Sequence, residues 1–590
     1  MDYCFVRAEV TVCFAAVSRR FFAHPFMRLF LFPLVFIAFS LQAANPEPLP
    51  APEYQWQSRT PPPAPAPAAL RVNSIGFLPT AEKFATVVGH DQRFTIVDLV
   101  TDRPVLSGVS GKTMVTAETD TGGETLSVID FSSLRAPGRY AIDVTGLGRS
   151  APFVIGDRVW NEAYRVVSRG MYLWRCGVAV DTVVNGQPYH HDACHTEDGY
   201  VDKIGGAADT KIHGTGGWHD AGDYNKYVVN AGVTVGLMFK AWEQFRPALE
   251  SIHLDIPESG KGLPDLLAEL KFEYDWLFTM QAEDGRVYHK LSAENFSFWG
   301  PPDKDLGKRY FSPWGSAATA DFAAMMALGA RHFREFDPAY ADRCLAAAIK
   351  AGNFLATHPE DHHPDLKGFH TGTYDCADAT HRLWAAAELW ETTGNDSYKK
   401  EFEQRAAGVS FGTEGPTWGD AHDLALGTYL LSGRAGRDAA LVARLKTGLI
   451  TQADSIVLAA SRNAHARPFG DERKSFFWGC NSSVVAQTYL LQTAQIVAPN
   501  PAYRGTSADA LGYLFGRNYH GRSYVTGLGY QPPEHTHDRR GTPQLPGYLV
   551  GGPFPSAREW YDQWKDPSRN EIAINWNGTL IYALAAFAER

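Results

Sequence analysis

Hydrophobic and polar positions alternate between residues 70 and 155, in a pattern typical of β-strands. Short apolar runs at 84–88, 94–97 and 126–129 are separated by Gly, Asp and Pro, and candidate strands recur about every ten residues. None of these runs keeps the period of a helix. The pattern predicts a small all-β sandwich over residues 69–156.

From residue 157 to residue 590 the apolar positions follow a helical period instead. A spacing of about 36 residues predicts about twelve paired helices, which fits an all-α barrel but also other α-solenoids. Long loops rich in Trp, His and Gly interrupt the helices at 284–316, 461–480 and 519–570, and such loops often carry function. The predicted helical segments are 231–245, 264–281, 317–333, 339–357, 384–393, 420–431, 439–459, 482–497, 508–515 and 571–588.

Residues 1–44 form a predicted export leader. Arg28 precedes the apolar run 29–39, and the small residues Ala43-Ala44 follow it, as in a secretory signal. The run is too short for a transmembrane span. Either Met27 is the true start, or Arg19-Arg20 belongs to a twin-arginine signal. Both interpretations predict a secreted or periplasmic protein.

The composition narrows the choice of partners. Residues 45–68 are dominated by Pro and Ala, which indicates an extended, semi-rigid linker. A net charge of −10 argues against nucleic acid or an anionic membrane as a partner. The chain also contains 34 Phe, 25 Tyr and 15 Trp. Core packing accounts for much of this excess, and flat faces for stacking sugar rings are a second use.

The most informative segment is 216–227, which places two carboxylates three residues apart. Only Ala221-Gly222 separates Asp220 from Asp223, and Trp218 and Tyr224 flank the pair. Small residues let the backbone turn tightly, so both carboxylates could converge on one water molecule. An arbitrary Asp-x-x-Asp is usually a polar turn, but this density of aromatic residues favours a catalytic role.

This segment closely resembles the Asp-Ala-Gly-Asp signature of glycoside hydrolase family 9, the inverting β-1,4-glucanases. The resemblance implies that Asp223 is the general base and that Asp220 helps to hold the nucleophilic water. It implies an (α/α)6 barrel for residues 157–590. Residues near 71–73 and 153–156 also resemble the ends of the immunoglobulin-like module that precedes many such barrels, which we therefore expect at 69–156.

The partner of the base lies near the C-terminus. Asn570-Glu571-Ile572-Ala573 resembles the family segment that carries the general acid, so the resemblance implies that Glu571 protonates the leaving oxygen. An inverting glycosidase places its two carboxyl groups about 6.5–9.5 Å apart. Taken alone, Glu571 at the start of an apolar helical run also fits a charge that complements the helix dipole.

Further cleft residues follow from the same resemblance. The segment 523–539 resembles the second signature of the family, which implies that His537 and Arg539 bind sugar hydroxyls or orient the site. Asp562 matches the Asp nine residues before the acid and is expected in the active-site network. Trp299 and Trp576, at family positions, are expected to stack sugar rings, and Tyr227 is expected to bind substrate. Independently of the resemblance, Trp314, Trp418 and Trp478 are further candidate platforms because they lie in or beside loops.

A metal site is expected apart from the chemistry. Cys176, Cys194, His195 and His213 offer two thiolates and two imidazoles, a closed tetrahedral set that suits structural zinc. A similarly placed set binds zinc in family members with the immunoglobulin-like module. A Cys176–Cys194 disulfide is the alternative in an exported protein. Calcium is doubtful, because Thr380-His381 replaces the Asp-Glu pair with which family members often bind it.

The sequence thus predicts an exported, monomeric, inverting hydrolase of β-1,4-glucan that acts within the chain and needs no catalytic cofactor. An exo-acting hydrolase of cello- or glucosamine oligosaccharides would use the same acid and base. A zinc hydrolase is disfavoured because a filled tetrahedron leaves no open position. A sugar-binding protein without activity is disfavoured by the intact Asp220, Asp223 and Glu571.

Overall fold

The computed structural model describes residues 68–115, 123–184, 186–296, 298–541 and 543–590. The predicted leader (1–44) and residues 45–67 of the predicted linker lie outside the described residues. The described chain begins with a β-rich part and continues as a helical part, in the predicted order.

Two sheets face each other in the first part. One has the strand order β1-β3-β7-β6, and the other has the order β2-β10-β8-β4-β5, with β9 paired to β8. The runs predicted as strands coincide with β3, β4 and β7. The strands are β1 (Leu70–Arg71), β2 (Gly76–Phe77), β3 (Phe84–Val88), β4 (Arg93–Asp98), β5 (Arg103–Val109), β6 (Thr113–Val115), β7 (Thr125–Asp130), β8 (Gly138–Val144), β9 (Gly148–Arg149) and β10 (Phe153–Ile155).

The sandwich is held together by a separate apolar core. Phe77 packs edge-on against Phe131 and Phe153, with ring centroids 5.2 Å and 5.5 Å apart. Alternate residues of the strands, such as Ile96 and Ile142, fill the space between the sheets. Because side chains alternate across a strand, this pattern explains why the sequence shows a period of two.

Within the described residues, the helical part contains twelve α-helices of ten or more residues and one short α-helix. They are α1 (Asn161–Leu173), α2 (Val228–Leu249), α3 (Asp265–Leu277), α4 (Ser316–His332), α5 (Pro338–Thr357), α6 (Ala379–Thr393), α7 (Asp396–Arg405), α8 (His422–Leu431), α9 (Ala439–Ser461), α10 (Cys480–Val497), α11 (Pro501–Leu514), α12 (Pro567–Asn570) and α13 (Ile574–Ala585). Five short strands lie between them: β11 (Val180–Val184), β12 (Gln187–His191), β13 (Lys226–Tyr227), β14 (Lys290–Ser292) and β15 (Tyr310–Phe311).

Six of these helices form a closed inner ring. Going round the ring, α2, α4, α6, α8, α10 and α13 each touch the next, and α13 returns to α2. The remaining long helices pack outside this ring, as α5 does on α4 and α7 on α6. This arrangement is the expected (α/α)6 barrel. The inner helices are buried on nearly all sides, which is why their sequences are apolar all round.

The predicted helix list needs three corrections. Helices α1 and α7 were not among the predicted segments. In α7 only Phe402 is buried, so its sequence carries almost no apolar period. The last helix begins at Ile574 rather than at Glu571, because Glu571 pairs with His537 and Ile572 pairs with Val550 as isolated β-bridges.

The loops before the inner helices meet at one end of the barrel. Asp223 precedes α2, Tyr374 precedes α6, Trp418 precedes α8, Trp478 precedes α10 and Glu571 precedes α13. The N-terminal ends of the helices carry partial positive charge, which favours carboxylates at this end. Among the described residues, we find no helix with the length and apolar character needed to cross a membrane.

Candidate active site

A cleft of about 610 Å³ opens at the N-terminal ends of the inner helices. Its lining includes both motifs that the sequence singled out, although they are some 350 residues apart (571 − 223 = 348). The predicted residues that line it are Asp220, Asp223, Tyr227, Trp418, His537, Arg539, Glu571 and Trp576. Trp478, a further candidate platform, also lines it.

Glycines allow the loop 216–227 to enter the cleft. Gly217 has φ +73°, and a Cβ there would lie 2.8 Å from the ring of Trp276. Gly222 is equally confined, since a Cβ would lie 2.5 Å from the main-chain oxygen of His537 and 3.1 Å from Oε1 of Glu571. The absence of a side chain at Gly222 therefore lets the segments of the two catalytic motifs touch.

Asp220 is held rigidly by two donors. Nδ2 of Asn230 donates to Oδ1 at 2.6 Å, and the hydroxyl of Tyr374 donates to Oδ2 at 2.8 Å. Its main-chain oxygen accepts from the N–H of Ile574 at 2.8 Å, which ties the loop to the start of α13. Burial, and secondly the charge of Asp223, raise the pKa of Asp220 well above its usual range.

Asp223 receives its hydrogen bonds on one oxygen. Nδ2 of Asn225 donates to Oδ2 at 2.5 Å, and the hydroxyl of Tyr227 donates to the same atom at 3.0 Å. Burial raises the pKa of the Tyr227 phenol well above its usual value, so the phenol stays a donor. Tyr227, which the sequence predicts to bind sugar, lines the cleft, and its hydroxyl also donates to Asp223.

Glu571 has the environment of a proton donor. Removal from water, and secondly the charge of Asp223, raise the pKa of Glu571 to about 8. The indole Nε1 of Trp478 donates to Oε2 of Glu571 at 3.2 Å. A carboxylic acid with this pKa is mostly protonated at neutral pH, which is the state that a general acid needs.

His537 and Arg539 lie where the two motifs meet. Nδ1 of His537 donates to the main-chain oxygen of Trp564 at 2.6 Å. Burial lowers the pKa of His537 to about 4, so the ring is neutral and its Nε2 can accept a hydrogen bond. Arg539 donates from its main-chain N–H and from Nη1 to the oxygen of Gly222, at 3.0 and 2.7 Å.

Asp562 lies behind the cleft lining and acts as a scaffold. Its carboxylate accepts from the main-chain N–H groups of Glu534 and His535, each at 2.9 Å. It also accepts from Nδ2 of Asn570 at 2.9 Å, directly before Glu571. These bonds, the largest from the side chain of His535, lower the pKa of Asp562 although burial opposes them. Asp562 therefore holds the segment of the acid rather than reaching the cleft.

The predicted sugar platforms divide into two groups. Trp418 and Trp576 line the cleft, as does Phe296 with 46% of its surface exposed. Trp299 is outside the described cleft lining: its ring packs edge-on against His537 at 5.4 Å, and the guanidinium of Arg539 lies 4.8 Å from its centre. Trp299 is 41% exposed beside these two cleft residues, and its role as a sugar platform stays a prediction.

Three of the four residues predicted as metal ligands lie together, and the fourth does not. The ligand atoms of Cys176, Cys194, His195 and His219 all lie within 4.8 Å of one another, and all four residues are buried. His213 is exposed and takes no part. His219 replaces it because the bridge between Arg175 and Trp218 carries the loop past Cys176. The two cysteines are free thiols, so the disulfide alternative does not hold.

Each of the two imidazoles in this cluster has a second partner that orients its ring. Nδ1 of His219 lies 3.0 Å from the main-chain oxygen of Tyr224, to which it donates, and this leaves Nε2 towards Cys194. Nε2 of His195 lies 3.4 Å from Oδ2 of Asp305, with Nδ1 towards Cys176. Such outer partners are typical of imidazoles that bind a metal. His219 directly precedes Asp220 in the chain.

Sequence reasoning did not identify several residues of the site. Tyr374, Asn230 and Asn225 hold the two aspartates, and His219 completes the metal cluster. Tyr374 has φ +43° in a loop without a repeated pattern. The only available signal was for Asn225, which lies two residues after Asp223 within the recognised segment.

Comparisons with known proteins agree with this geometry. The sequence profile "Glycosyl hydrolase family 9" matches residues 160–584, and "Cellulase N-terminal ig-like domain" matches residues 66–149. The chain belongs to glycosyl hydrolase family 9 and is an inverting, cellulase-type glycoside hydrolase.

Individual relatives cover most of the chain. Endoglucanase D of Acetivibrio thermocellus is 46% identical over 527 residues, which are 88% of this chain and 83% of that protein. The crystal structure of a metagenome-derived family 9 endoglucanase is similar with a TM-score of 0.82 and 34% identity, covering 88% and 99% of the two chains. A zinc-binding triple mutant of a family 9 endoglucanase is similar with a TM-score of 0.80 and 34% identity, covering 87% and 99%.

Proposed function

We propose that this protein hydrolyses internal β-1,4 linkages of a glucan chain, with Asp223 as general base and Glu571 as general acid. The single observation that supports this most strongly is the contact of the two motifs across Gly222. The proposal is supported by the raised pKa of Glu571, to which the charge of Asp223 contributes, and by the donors Asn225 and Tyr227 on Asp223.

The reaction needs one water molecule and two proton transfers. Oδ2 of Asp223 is occupied by two donors, so its other oxygen takes the proton from water. The water oxygen then bonds to the anomeric carbon from the face opposite the leaving group, which inverts the configuration. Glu571 gives its proton to the glycosidic oxygen as that bond breaks. Solvent returns both carboxyl groups to their starting states.

The other cleft residues prepare these transfers. Asp220, fixed by Asn230 and Tyr374, lies beside Asp223 and helps to position the water. His537 and Arg539 connect the segment of the base to that of the acid and offer polar groups to sugar hydroxyls. Trp418, Trp576 and Phe296 offer flat faces for glucosyl rings.

Glu571→Gln tests the role of the acid, because glutamine keeps the shape of the side chain but has no proton to donate. Cellotetraose has a poor leaving group and should react roughly 10²–10⁴-fold more slowly. An aryl cellobioside with an acidic phenol needs little protonation and should lose much less. Equal losses on both substrates, or a first product that retains the anomeric configuration, would refute the proposal.

The buried metal cluster fits structural zinc. Cys176, Cys194, His195 and His219 would hold the ion as a closed set of two sulfur and two nitrogen ligands. Zinc there would supply a cross-link that pins the backbone next to Asp220 and would take no part in the reaction. The name of one structural relative refers to zinc binding, which concerns that protein and only supports the idea here.

Metal analysis of matched variants tests the zinc proposal. Wild type and His213→Ala should each contain about one equivalent of zinc, whereas His219→Ala should lose it and melt at a lower temperature, since metal binding contributes to folding. Zinc-free wild type, or loss of zinc in His213→Ala, would contradict the assignment.

Export is also part of the proposal and rests on the leader at 1–44. Expression in a bacterial host with a functional secretion system, followed by fractionation, should recover activity outside the cytoplasm. A variant without residues 1–44 should keep its activity in the cytoplasm. Cytoplasmic retention of the full chain would contradict export.

A further inference from the structure

Trp478 contacts the carboxyl group of Glu571 from a distant loop. Its indole Nε1 donates to Oε2 of Glu571 at 3.2 Å, across 93 positions of sequence. Trp478 is 52% exposed, and it lines both the main cleft and a smaller cavity beside it. A bound glucan chain would cover the exposed part and exclude water from this hydrogen bond.

The main chain around Trp478 is fixed even though its side chain is exposed. The buried guanidinium of Arg467 donates to the main-chain oxygens of Gly470 and Ser475, at 2.7 and 2.8 Å. On the other side of Trp478, Gly479 has φ +83°, and a Cβ there would lie 2.7 Å from Cζ2 of Trp576. The loop is therefore held against the cleft wall.

Gly222 and Trp478 hold Glu571 from two sides. Oε1 of Glu571 faces Gly222, whose backbone N–H also favours the ionised form of the acid. Oε2 faces the indole of Trp478. The donor at Oε2 and the close approach of Gly222 to Oε1 limit the rotation of the carboxyl group. The proton for the leaving oxygen is then presented in one direction.

We propose that Trp478 is a positioning residue for the general acid, and that its indole N–H orients the Glu571 carboxyl group and stabilises the charge left on it after proton transfer. This inference rests on the proposed role of Glu571 as acid. It assigns to Trp478 a task that a stacking platform does not have, because stacking uses the ring face and this task uses the N–H.

Loss of the Trp478 donor should change the pKa of Glu571 in one direction. A donor to Oε2 favours the charged form and so lowers the pKa of Glu571, against the burial and the Asp223 charge that raise it. Removing the donor should therefore raise that pKa further. Among the described residues, Arg539 also acts on Glu571, the neutral His537 pairs with it, and Asp220 and Tyr374 sense its charge. All of these groups remain unchanged in a Trp478 variant.

Trp478→Phe keeps an aromatic face and removes only the N–H. The alkaline limb of kcat/KM on cellohexaose, near pH 8 in the wild type, should move upward by about half a unit to one unit. Turnover at pH 6 should fall roughly three- to tenfold on cellohexaose, because the product carboxylate is less stabilised. An aryl cellobioside with an acidic phenol should change by less than about twofold.

Two further variants separate this task from sugar stacking. Trp478→Ala should show the same shift of the limb together with a higher KM, because it also loses the ring face. Trp418→Phe removes an indole N–H elsewhere in the cleft and should leave the limb where it is. An unchanged limb in Trp478→Phe, or the same shift in Trp418→Phe, would overturn the inference.

The two proposals can fail separately. If Glu571→Gln slows both substrates equally, Glu571 is not the acid and the role of Trp478 falls with it. If Glu571→Gln slows only the substrate with the poor leaving group and Trp478→Phe keeps the wild-type limb, only the role of Trp478 is refuted.

Discussion

Gly222→Ala is the sharpest test of how the two catalytic segments fit together. The added methyl would lie 2.5 Å from the main-chain oxygen and 2.9 Å from Cδ2 of His537, and 3.1 Å from Oε1 of Glu571. A comfortable contact is about 3.5 Å, so the segments must separate by up to about 1 Å. The nearest atom belongs to the backbone and cannot rotate away.

The cost of this displacement follows from the structure. A shift of about 1 Å in a catalytic group costs roughly 10²-fold in rate, so kcat on cellohexaose should fall by about that factor. Overpacking of this kind also costs about 1–3 kcal/mol, which thermal or urea unfolding would detect. The loss of rate and the loss of stability share one cause, because the added methyl group disrupts the contact of Gly222 with Arg539 and His537.

Gly448→Ala is the matched control. Gly448 lies in α9, and a Cβ there meets no atom within 4 Å. Alanine suits a helix interior better than glycine by about 0.5–1 kcal/mol, so this variant should be as active as wild type and slightly more stable. If Gly222→Ala kept wild-type turnover and stability, the close contact between the segments of base and acid would be refuted.

Two further predictions concern the base and the pH profile. Asp223→Asn should lower kcat by several orders of magnitude, because the proton acceptor is lost. Oligosaccharide binding, measured by calorimetry, should stay near the wild-type value. Near-normal turnover would exclude Asp223 as the general base. The acid must be protonated, and the pKa of Glu571 is about 8, so kcat/KM of the wild type should fall as the pH rises through about 8. A fall in kcat/KM that begins two pH units lower would contradict the raised pKa of Glu571.

Much of the fold was accessible from local pattern. The runs at 84–88, 94–97 and 126–129 became β3, β4 and β7, because a strand buried on one face requires alternation. Most inner helices were found because they are long and apolar. Helix α7 was missed because it lies on the outer layer and buries only Phe402.

The site was accessible where its residues are contiguous. Asp220 and Asp223 share one twelve-residue segment, and Glu571 lies in a second short motif, so both could be recognised along the chain. Spacing alone does not distinguish His213 from His219, because both histidines follow Cys194 within a short distance. Which histidine joins the cluster depends on which segment of the loop passes next to Cys176.

By itself, the sequence determined which chemical groups are available: two carboxyl motifs, cysteines and histidines that could hold a metal, and an excess of aromatic faces. Only the tertiary structure decided how these groups act. Tyr374 reaches Asp220 across 154 positions, and Trp478 reaches Glu571 across 93. No local period records such pairs, because closure of the helical ring brings their loops to one end of the barrel, and their burial there sets the pKa of Glu571.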